Sequence, residues 1–153
     1  MKRHNPYSSD LPGRYPVTAE LLALAEQAVA HLWNERRAQR GLPPTEDRSG
    51  SCKFAALLAR ELFGGRVAGN LEHVFVLREG QVIDLNRHQQ DVIELDSGAH
   101  RACEYTLNHR DYIESLKSCE PRAQRWVCWF DEQMRDRRIA LPLNQELAPA
   151  ICA

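Results

Sequence analysis

The sequence predicts an α+β fold, and three observations support it. Two long stretches, 20–40 and 122–138, repeat apolar residues every three or four positions, as amphipathic helices do. A third, strongly apolar stretch begins at Cys52 and ends at a pair of glycines, which is typical of a buried helix. Between the helical stretches, two short runs rich in valine and leucine flank a Glu-Gly turn and predict a small antiparallel hairpin.

Length, composition and charge describe an ordinary globular chain. Its 153 residues are 43% hydrophobic and 27% charged, which predicts a single domain over residues 1–153. Twenty basic and twenty-one acidic residues give a formal charge of -1, so we expect neither nucleic acid nor a membrane surface as a partner. No signal peptide is visible, and we expect a cytoplasmic protein or one exported by a signal-less route.

Five cysteines are spread along the chain without a CxxC pair. An odd number of thiols with irregular spacing favours reduced cysteines in a reducing compartment. Cys119 and Cys128 lie on the helical patterns and are expected to be small buried hydrophobes. Cys103 and Cys152 have no evident partner in the sequence.

The N-terminal part begins with residues 1–16, which contain three prolines and a glycine and are expected to form a flexible arm. Thr18 has the position of an N-cap for the helix 20–40, and Gly41 with the prolines that follow should end that helix. At the other end of the chain, residues 141–153 are proline-punctuated and are expected to be a loosely ordered tail.

Cys52 stands in the first turn of the predicted buried helix. The free N–H groups at a helix start and the positive end of the helix dipole both favour a thiolate over a thiol. The position therefore favours a reactive cysteine.

The hairpin consists of residues 71–78 and 81–85, joined by Glu79-Gly80. If the loop has two residues, Arg78 pairs with Gln81, and the alternation of side chains places His73 and Asp84 on one face. Asp84 is then a diagonal neighbour of His73, with about 7–8 Å between the backbones and the side chains within reach.

After the hairpin, we expect two short strands followed by two helices. Residues 92–95 and 102–107 are each expected to form a short strand. A short helix is expected at 110–117, separate from the helix 122–138, because Pro121 suits the first turn of a new helix.

Cysteine, histidine and aspartate in this chain order are typical of thiol hydrolases of the papain or transglutaminase type. A cysteine nucleophile needs a base that takes its proton and a polar group that orients the base. We assign these roles to Cys52, His73 and Asp84, with Asn86 as an alternative orienting residue.

The oxyanion of an acyl-transfer intermediate needs hydrogen-bond donors. Backbone N–H groups at the start of the Cys52 helix could supply half of an oxyanion hole. Ser51 and Asn70 are the candidates for the second donor.

The segments GSCKFAALLARELFGGRV, EHVFVLREGQVIDLNRHQ and HRDYIESLKSCEPRAQRW resemble the YunG-like family of small bacterial proteins, over residues 48–130. The resemblance implies a papain-like, transglutaminase-like fold in which a helix carrying cysteine packs on a small antiparallel sheet, followed by C-terminal helices. It implies Cys52, His73 and Asp84 as catalytic residues and Gln89 as a substrate-binding residue.

Two residues depart from the family pattern. Ser51 stands where relatives often have a glutamine that could serve the oxyanion hole, and Asn86 replaces a threonine. Both changes lie within two positions of a proposed triad residue.

The function expected from these residues is a thiol-dependent amide hydrolase or acyltransferase, whether peptidase, deamidase or transglutaminase-like, acting on a protein or peptide. Similar small papain-like domains also serve as bacterial toxins or effectors, which would imply an immunity or partner protein. The alternative is a catalytically inactive papain-like domain that acts as a binding or regulatory module.

No metal or other cofactor is expected. Cys52, His73, His88, His100 and Cys103 are possible ligands, but their spacing matches no common zinc module. The chain also contains neither a P-loop nor a GxGxxG motif.

Overall fold

The structure, a computed structural model, describes residues 4–137 and confirms the α+β class. In this part of the chain the helices are α1 (Ala19–Gln39), α2 (Cys52–Phe63), α3 (Gln90–Leu95), α4 (Glu104–Leu107) and α5 (Arg110–Asp136). The strands are β1 (Arg66–Gly69), β2 (Val74–Arg78) and β3 (Gln81–Ile83), and short 3-10 turns occupy Pro6–Ser8 and Asp96–Gly98.

Helix α2 is the centre of the molecule. It packs against α5 on one side and against β2 on the other, and nine of its twelve residues are buried, as its apolar sequence predicts. The helix ends at Gly64, whose φ of 82° is a conformation that favours glycine. Because α2 is enclosed by other elements, its first residue has a fixed position.

The sheet is antiparallel in the order β1-β2-β3, with β2 in the middle. Glu79 and Gly80 form the predicted two-residue turn, both with positive φ, and Arg78 pairs with Gln81 as expected. Strand β1 was not predicted, and β2 begins at Val74 rather than at residue 71. The reason for the late start is a turn over residues 70–73, which joins β1 to β2.

The segment before α1 is packed, so the expected flexible arm is wrong for residues 4–16. Asn5 donates from Nδ2 to the Leu107 carbonyl at 2.8 Å, and Leu11 forms a β-bridge with Gly65. Tyr7 and Tyr15 are buried. These contacts use single side chains without a repeating pattern, and therefore no periodicity in the sequence reveals them.

The two strands expected after the hairpin are helical instead. Residues 92–95 belong to α3, and residues 104–107 of the second expected strand form α4. Short apolar runs do not distinguish a strand from a helical turn. In α3 only Val92 is buried, whereas Ile93 is exposed, which is the one-sided burial of a surface helix.

Helix α5 is one continuous helix with Pro121 inside it, so the expected division into two helices is wrong. A proline inside a helix costs about 3 kcal/mol because it removes one hydrogen bond and crowds the preceding turn. The apolar face continues at helical spacing on both sides of the proline, through Ile113, Leu116, Cys119, Ala123, Trp126, Val127, Phe130 and Met134. Burial of this face offsets the cost.

Two cysteines of α5 differ in their oxidation state. Cys119 is a buried free thiol as expected, whereas Cys128 is disulfide-bonded, so the expectation of a reduced thiol is wrong for Cys128. The expected tail at 141–153 lies outside the described residues, as does Cys152. Among residues 4–137, no helix has both the length and the apolar character needed to cross a bilayer.

Candidate active site

His73 ends the turn that joins β1 to β2. The side-chain oxygen of Asn70 accepts hydrogen bonds from the backbone N–H groups of Glu72 and His73 at 2.9 and 3.0 Å. This arrangement is the local turn that asparagine favours, and it fixes the backbone of the histidine. His73 is only 2% exposed, so its ring cannot reorient into solvent.

Asp84 follows the last residue of β3 and holds the His73 ring. Its Oδ2 lies 2.6 Å from His73 Nε2, and its Oδ1 accepts the Asn86 N–H at 2.9 Å. The hairpin register predicted the proximity of these two side chains, and the structure confirms that proximity. Since Nε2 is engaged with Asp84, Nδ1 is the ring nitrogen left for a second partner.

Cys52 is the first residue of α2 and lines a cavity of about 700 Å³ together with His73. No side chain caps the start of this helix. The first N–H groups of α2 and its dipole therefore act on whatever occupies the cavity next to the thiol.

Hydrogen bonds and charges within the site shift the pKa values of His73 and Asp84. Burial alone would lower the pKa of His73, but hydrogen bonds and the negative charges of Asp84 and Cys52 raise it to about 9. Burial acts to raise the pKa of Asp84, and the hydrogen bond and charge of His73 outweigh it, so the net shift is downward. Near neutral pH the site therefore favours a protonated imidazole beside an ionised carboxylate.

No protein-family model, curated protein or solved structure matches this chain. The resemblance to the YunG-like family therefore stays a prediction.

His100 joins the site from the loop after the second 3-10 turn. Its Nε2 lies 2.7 Å from the same Asp84 oxygen that binds His73, and its side chain is 33% exposed. Its ring also packs edge-on against Phe75 at 5.0 Å between centroids. The sequence identified His100 only as a possible metal ligand. It did not predict the contact with Asp84, because the residue lies in an irregular loop without a periodic pattern.

His73, Asp84 and His100 could offer three ligand atoms to a metal ion, since these atoms all lie within 4.8 Å of one another. Two ligands of a tetrahedral zinc ion lie about 3.3 Å apart when each bond is about 2.0–2.1 Å. The observed N···O separations of 2.6 and 2.7 Å are shorter and are hydrogen-bond lengths. The cluster therefore fits shared protons better than a shared ion.

Ser51 and Asn86 connect the start of α2 to the Asp84 turn. Asn86 Nδ2 donates to Ser51 Oγ at 2.8 Å, and Ser51 is fully buried. Asn86 Oδ1 accepts from Arg48 Nε at 3.2 Å. Asn86 therefore bonds to Ser51 and Arg48 while Asp84 holds the imidazole, and the expected alternative orienting role of Asn86 has no geometric support.

Gln89 also lies in this network rather than at the cavity. Its side-chain oxygen accepts the Arg48 N–H at 3.0 Å, and Arg48 Nη2 donates to the Leu85 carbonyl at 3.1 Å. The geometry gives Gln89 a positioning contact in place of the substrate contact that the resemblance implied.

Asn70 lines the cavity, but its amide hydrogens are engaged. Its Nδ2 donates to the carbonyl oxygens of Gly98, Ala99 and Arg101 at 2.8–3.3 Å. Asn70 thus ties the turn of His73 to the loop that carries His100. Ser51 is buried and does not line the cavity, and the Asn70 amide hydrogens are engaged, so neither expected oxyanion candidate offers a free side-chain donor at the cavity.

Proposed function

We propose that this chain is a thiol-dependent amide hydrolase or acyltransferase in which Cys52 is the nucleophile, His73 the base and Asp84 the orienting group. One observation carries the proposal: the His73 imidazole is fixed to Asp84 through Nε2 and interacts with Cys52, at the wall of an open cavity. This is the relationship of nucleophile, base and orienting group that defines a catalytic triad.

We also propose a papain-like fold. Supporting it, a helix with cysteine as its first residue packs on an antiparallel sheet. Histidine and aspartate lie at the ends of β2 and β3 that approach this cysteine. The chain order of the three residues agrees with this fold.

In the first half of the reaction, the Cys52 thiolate attacks the carbonyl carbon of an amide. A C–S bond forms, and the electron pair of the carbonyl moves onto its oxygen. Protonated His73 then gives its proton to the amide nitrogen, the C–N bond breaks, and ammonia or an amine leaves. Asp84 stabilises the imidazolium before this transfer and holds the ring in place afterwards.

In the second half, neutral His73 takes a proton from the incoming nucleophile. Water yields a carboxylate, and an amine yields a new amide; both release the Cys52 thiolate as the C–S bond breaks. Peptidase, deamidase and transglutaminase chemistry differ only in which amide is attacked and which nucleophile resolves the thioester.

The rim of the cavity favours a protein or peptide substrate. Leu71 and Tyr105 are the two most exposed large apolar side chains of the described residues, at 87% and 82%, and both line this cavity. Two such apolar side chains on one cavity rim are suited to contact a protein or peptide chain. A cavity of about 700 Å³ also exceeds what a single side chain needs and lies within the range of ligand sites.

The proposal is tested by identifying which cysteine is alkylated fastest. We expect iodoacetamide near pH 7 to label Cys52 first, as shown by peptide mass spectrometry. Cys103 is a demanding comparison, because the hydrogen bond from Thr106 lowers its pKa. Cys103→Ser removes this competing thiol, and Cys52→Ala is the negative control.

An acyl-enzyme is the second readout. A 4-nitrophenyl ester should release one equivalent of nitrophenolate in a burst and leave a thioester on Cys52. If Cys52 is alkylated no faster than Cys103 and no burst occurs, the enzyme proposal fails. The binding-module alternative would then be the better account.

A further inference from the structure

The proposed reaction needs two hydrogen-bond donors for the developing oxyanion, and the residues described so far supply one. The N–H of Cys52 at the uncapped start of α2 is the first donor. Lys53 also lines the cavity, but its ammonium group donates to Ser115 Oγ.

Tyr112, in the first turn of α5, offers a donor that no other group uses. Tyr112 lines the same cavity as Cys52 and His73. Its hydroxyl is buried and has no hydrogen-bond partner among the residues that the structure describes. Leaving a buried hydroxyl unpaired costs about 1–3 kcal/mol, so a functional reason for it is expected.

The position of the hydroxyl relates it to the catalytic residues. A methyl group added at Gly69 would lie 3.1 Å from the Tyr112 oxygen and 2.5 Å from the His73 carbonyl oxygen. The hydroxyl thus lies beside the paired strand ends that position His73. The Lys53 ammonium, 5.6 Å from the Tyr112 ring centroid, packs over the ring and holds it against this wall.

The electrostatics keep the hydroxyl protonated. Burial, and after it the negative charge of Cys52, raise the pKa of Tyr112 above its ordinary value. A phenol that does not ionise near neutral pH remains a donor throughout the reaction.

We propose that the Tyr112 hydroxyl is the second donor of the oxyanion hole and acts together with the backbone N–H of Cys52. This inference rests on the proposed acyl-transfer function. A donor that serves the oxyanion lies about 2.7–3.1 Å from the position of that oxygen rather than from the sulfur. No described protein group accepts a hydrogen bond from this hydroxyl, and the oxygen of the tetrahedral intermediate would be its acceptor, so the interaction would be specific to the transition state.

The experiment compares two reactions of the same thiolate. Attack on 4-nitrophenyl acetate passes through an oxyanion, which collapses to a thioester and expels nitrophenolate. Attack on iodoacetamide displaces iodide and develops no oxyanion. Tyr112→Phe should therefore slow ester acylation of Cys52 by about 10- to 100-fold and leave its alkylation by iodoacetamide within about twofold of wild type.

Tyr7→Phe is the matched control, because it removes the hydroxyl of another buried tyrosine, one that donates to Glu120 and does not line the cavity. We expect this variant to acylate and alkylate like wild type. A further measurement uses a simple aldehyde, which forms a tetrahedral hemithioacetal with the thiol. Tyr112→Phe should weaken its binding by a similar factor.

Stability provides an independent outcome. Removing a hydroxyl without a partner should leave the midpoint of thermal unfolding unchanged or raise it. If Tyr112→Phe unfolds at a clearly lower temperature, or slows both reactions equally, the residue is structural and the inference is overturned. If acylation is unchanged in Tyr112→Phe while wild type shows the burst, Tyr112 is not the donor but the triad stands. A wild type without any burst refutes the proposed function itself.

Discussion

Two buried aspartates, Asp131 and Asp84, each bind two side chains, yet they belong to different kinds of cluster. Asp131 accepts from Tyr15 at 2.5 Å and pairs with Arg14 at 2.6 Å. Asp84 binds His73 at 2.6 Å and His100 at 2.7 Å. Both carboxylates are almost completely buried, so burial alone does not distinguish them.

The partners make the difference. A guanidinium keeps its charge at every pH at which a protein is folded, and the Asp131 cluster joins the segment before α1 to α5. Imidazole has two ring nitrogens and exchanges a proton near neutral pH. In the Asp84 cluster, the second nitrogen of His73 is left for Cys52 and the cavity. The first cluster therefore has the partners of a structural ion pair, whereas the second has the partners that the proposed proton transfer would need.

The largest effect should come from His73→Gln, which removes the base but keeps a polar side chain of similar size. We expect the rate of Cys52 acylation by 4-nitrophenyl acetate to fall by about 10³-fold, the contribution typical of a positioned acid–base group. The control is His88→Gln, which changes an exposed histidine. If His73→Gln is acylated as fast as wild type, the Asp84 cluster is structural, as the Asp131 cluster is.

The two aspartates can be exchanged for asparagine in parallel. Asp84→Asn should lower ester acylation by about 100-fold, a smaller loss than the roughly 10⁴ seen in serine triads, because the nucleophile here is a thiol. Asp131→Asn removes the carboxylate that pairs with the buried Arg14 side chain, and we expect it to lower the free energy of unfolding by about 3 kcal/mol.

Urea unfolding of both variants measures the loss of stability, and burst kinetics measure the loss of acylation. We expect Asp84→Asn to lose mainly acylation and Asp131→Asn to lose mainly stability. Each variant serves as the control of the other, since both lose one buried carboxylate. If Asp131→Asn lost acylation as strongly as Asp84→Asn while remaining folded, the division into a structural and a catalytic cluster would be wrong.

The sequence could predict the Asp84 cluster only in part. The Glu79-Gly80 turn fixes the register of β2 and β3, and side-chain alternation then brings Asp84 to His73, so local rules suffice for that pair. The first turn of an apolar helix likewise places Cys52. His100 is different: it reaches Asp84 from an irregular loop that Asn70 holds through three carbonyl contacts, and no periodic pattern encodes such a position.

The Asp131 cluster could not be predicted at all. Arg14 and Tyr15 lie in a proline-rich segment without periodicity, more than one hundred residues from Asp131. The same limit explains the errors at α3 and α4, where short runs satisfied a strand pattern but tertiary contacts decided otherwise. Long-range side-chain contacts, rather than local propensity, set these parts of the fold.

The pH dependence of stability should also separate the clusters. The pKa of His73 is about 9 in the folded protein, against 6.5 for an unperturbed histidine. Folded His73 therefore binds its proton more tightly than the unfolded chain does. Its contribution to stability is complete below about pH 6.5 and is lost as the pH rises through about 9.

We therefore expect the difference in unfolding free energy between wild type and His73→Gln to shrink from pH 6 to pH 9.5. The difference between wild type and Asp131→Asn should stay constant over this range, because the partners of Asp131 are an arginine and a tyrosine rather than a histidine. Urea titrations at four pH values would measure both differences. Parallel slopes for the two variants would contradict the assignment of the proton to His73.

The smallest effect should come from His100, which binds Asp84 from the solvent side. It does not line the cavity, and its half-exposed hydrogen bond is worth about 1 kcal/mol, so His100→Leu should slow ester acylation by about fivefold. His100→Gln keeps an N–H donor for the Asp84 oxygen and should recover most of that loss, a rescue that a purely steric role would not produce. A loss in His100→Leu as large as that in His73→Gln would mean that both imidazoles act on the reacting atoms, and the site would then have two bases rather than one base and one positioning residue.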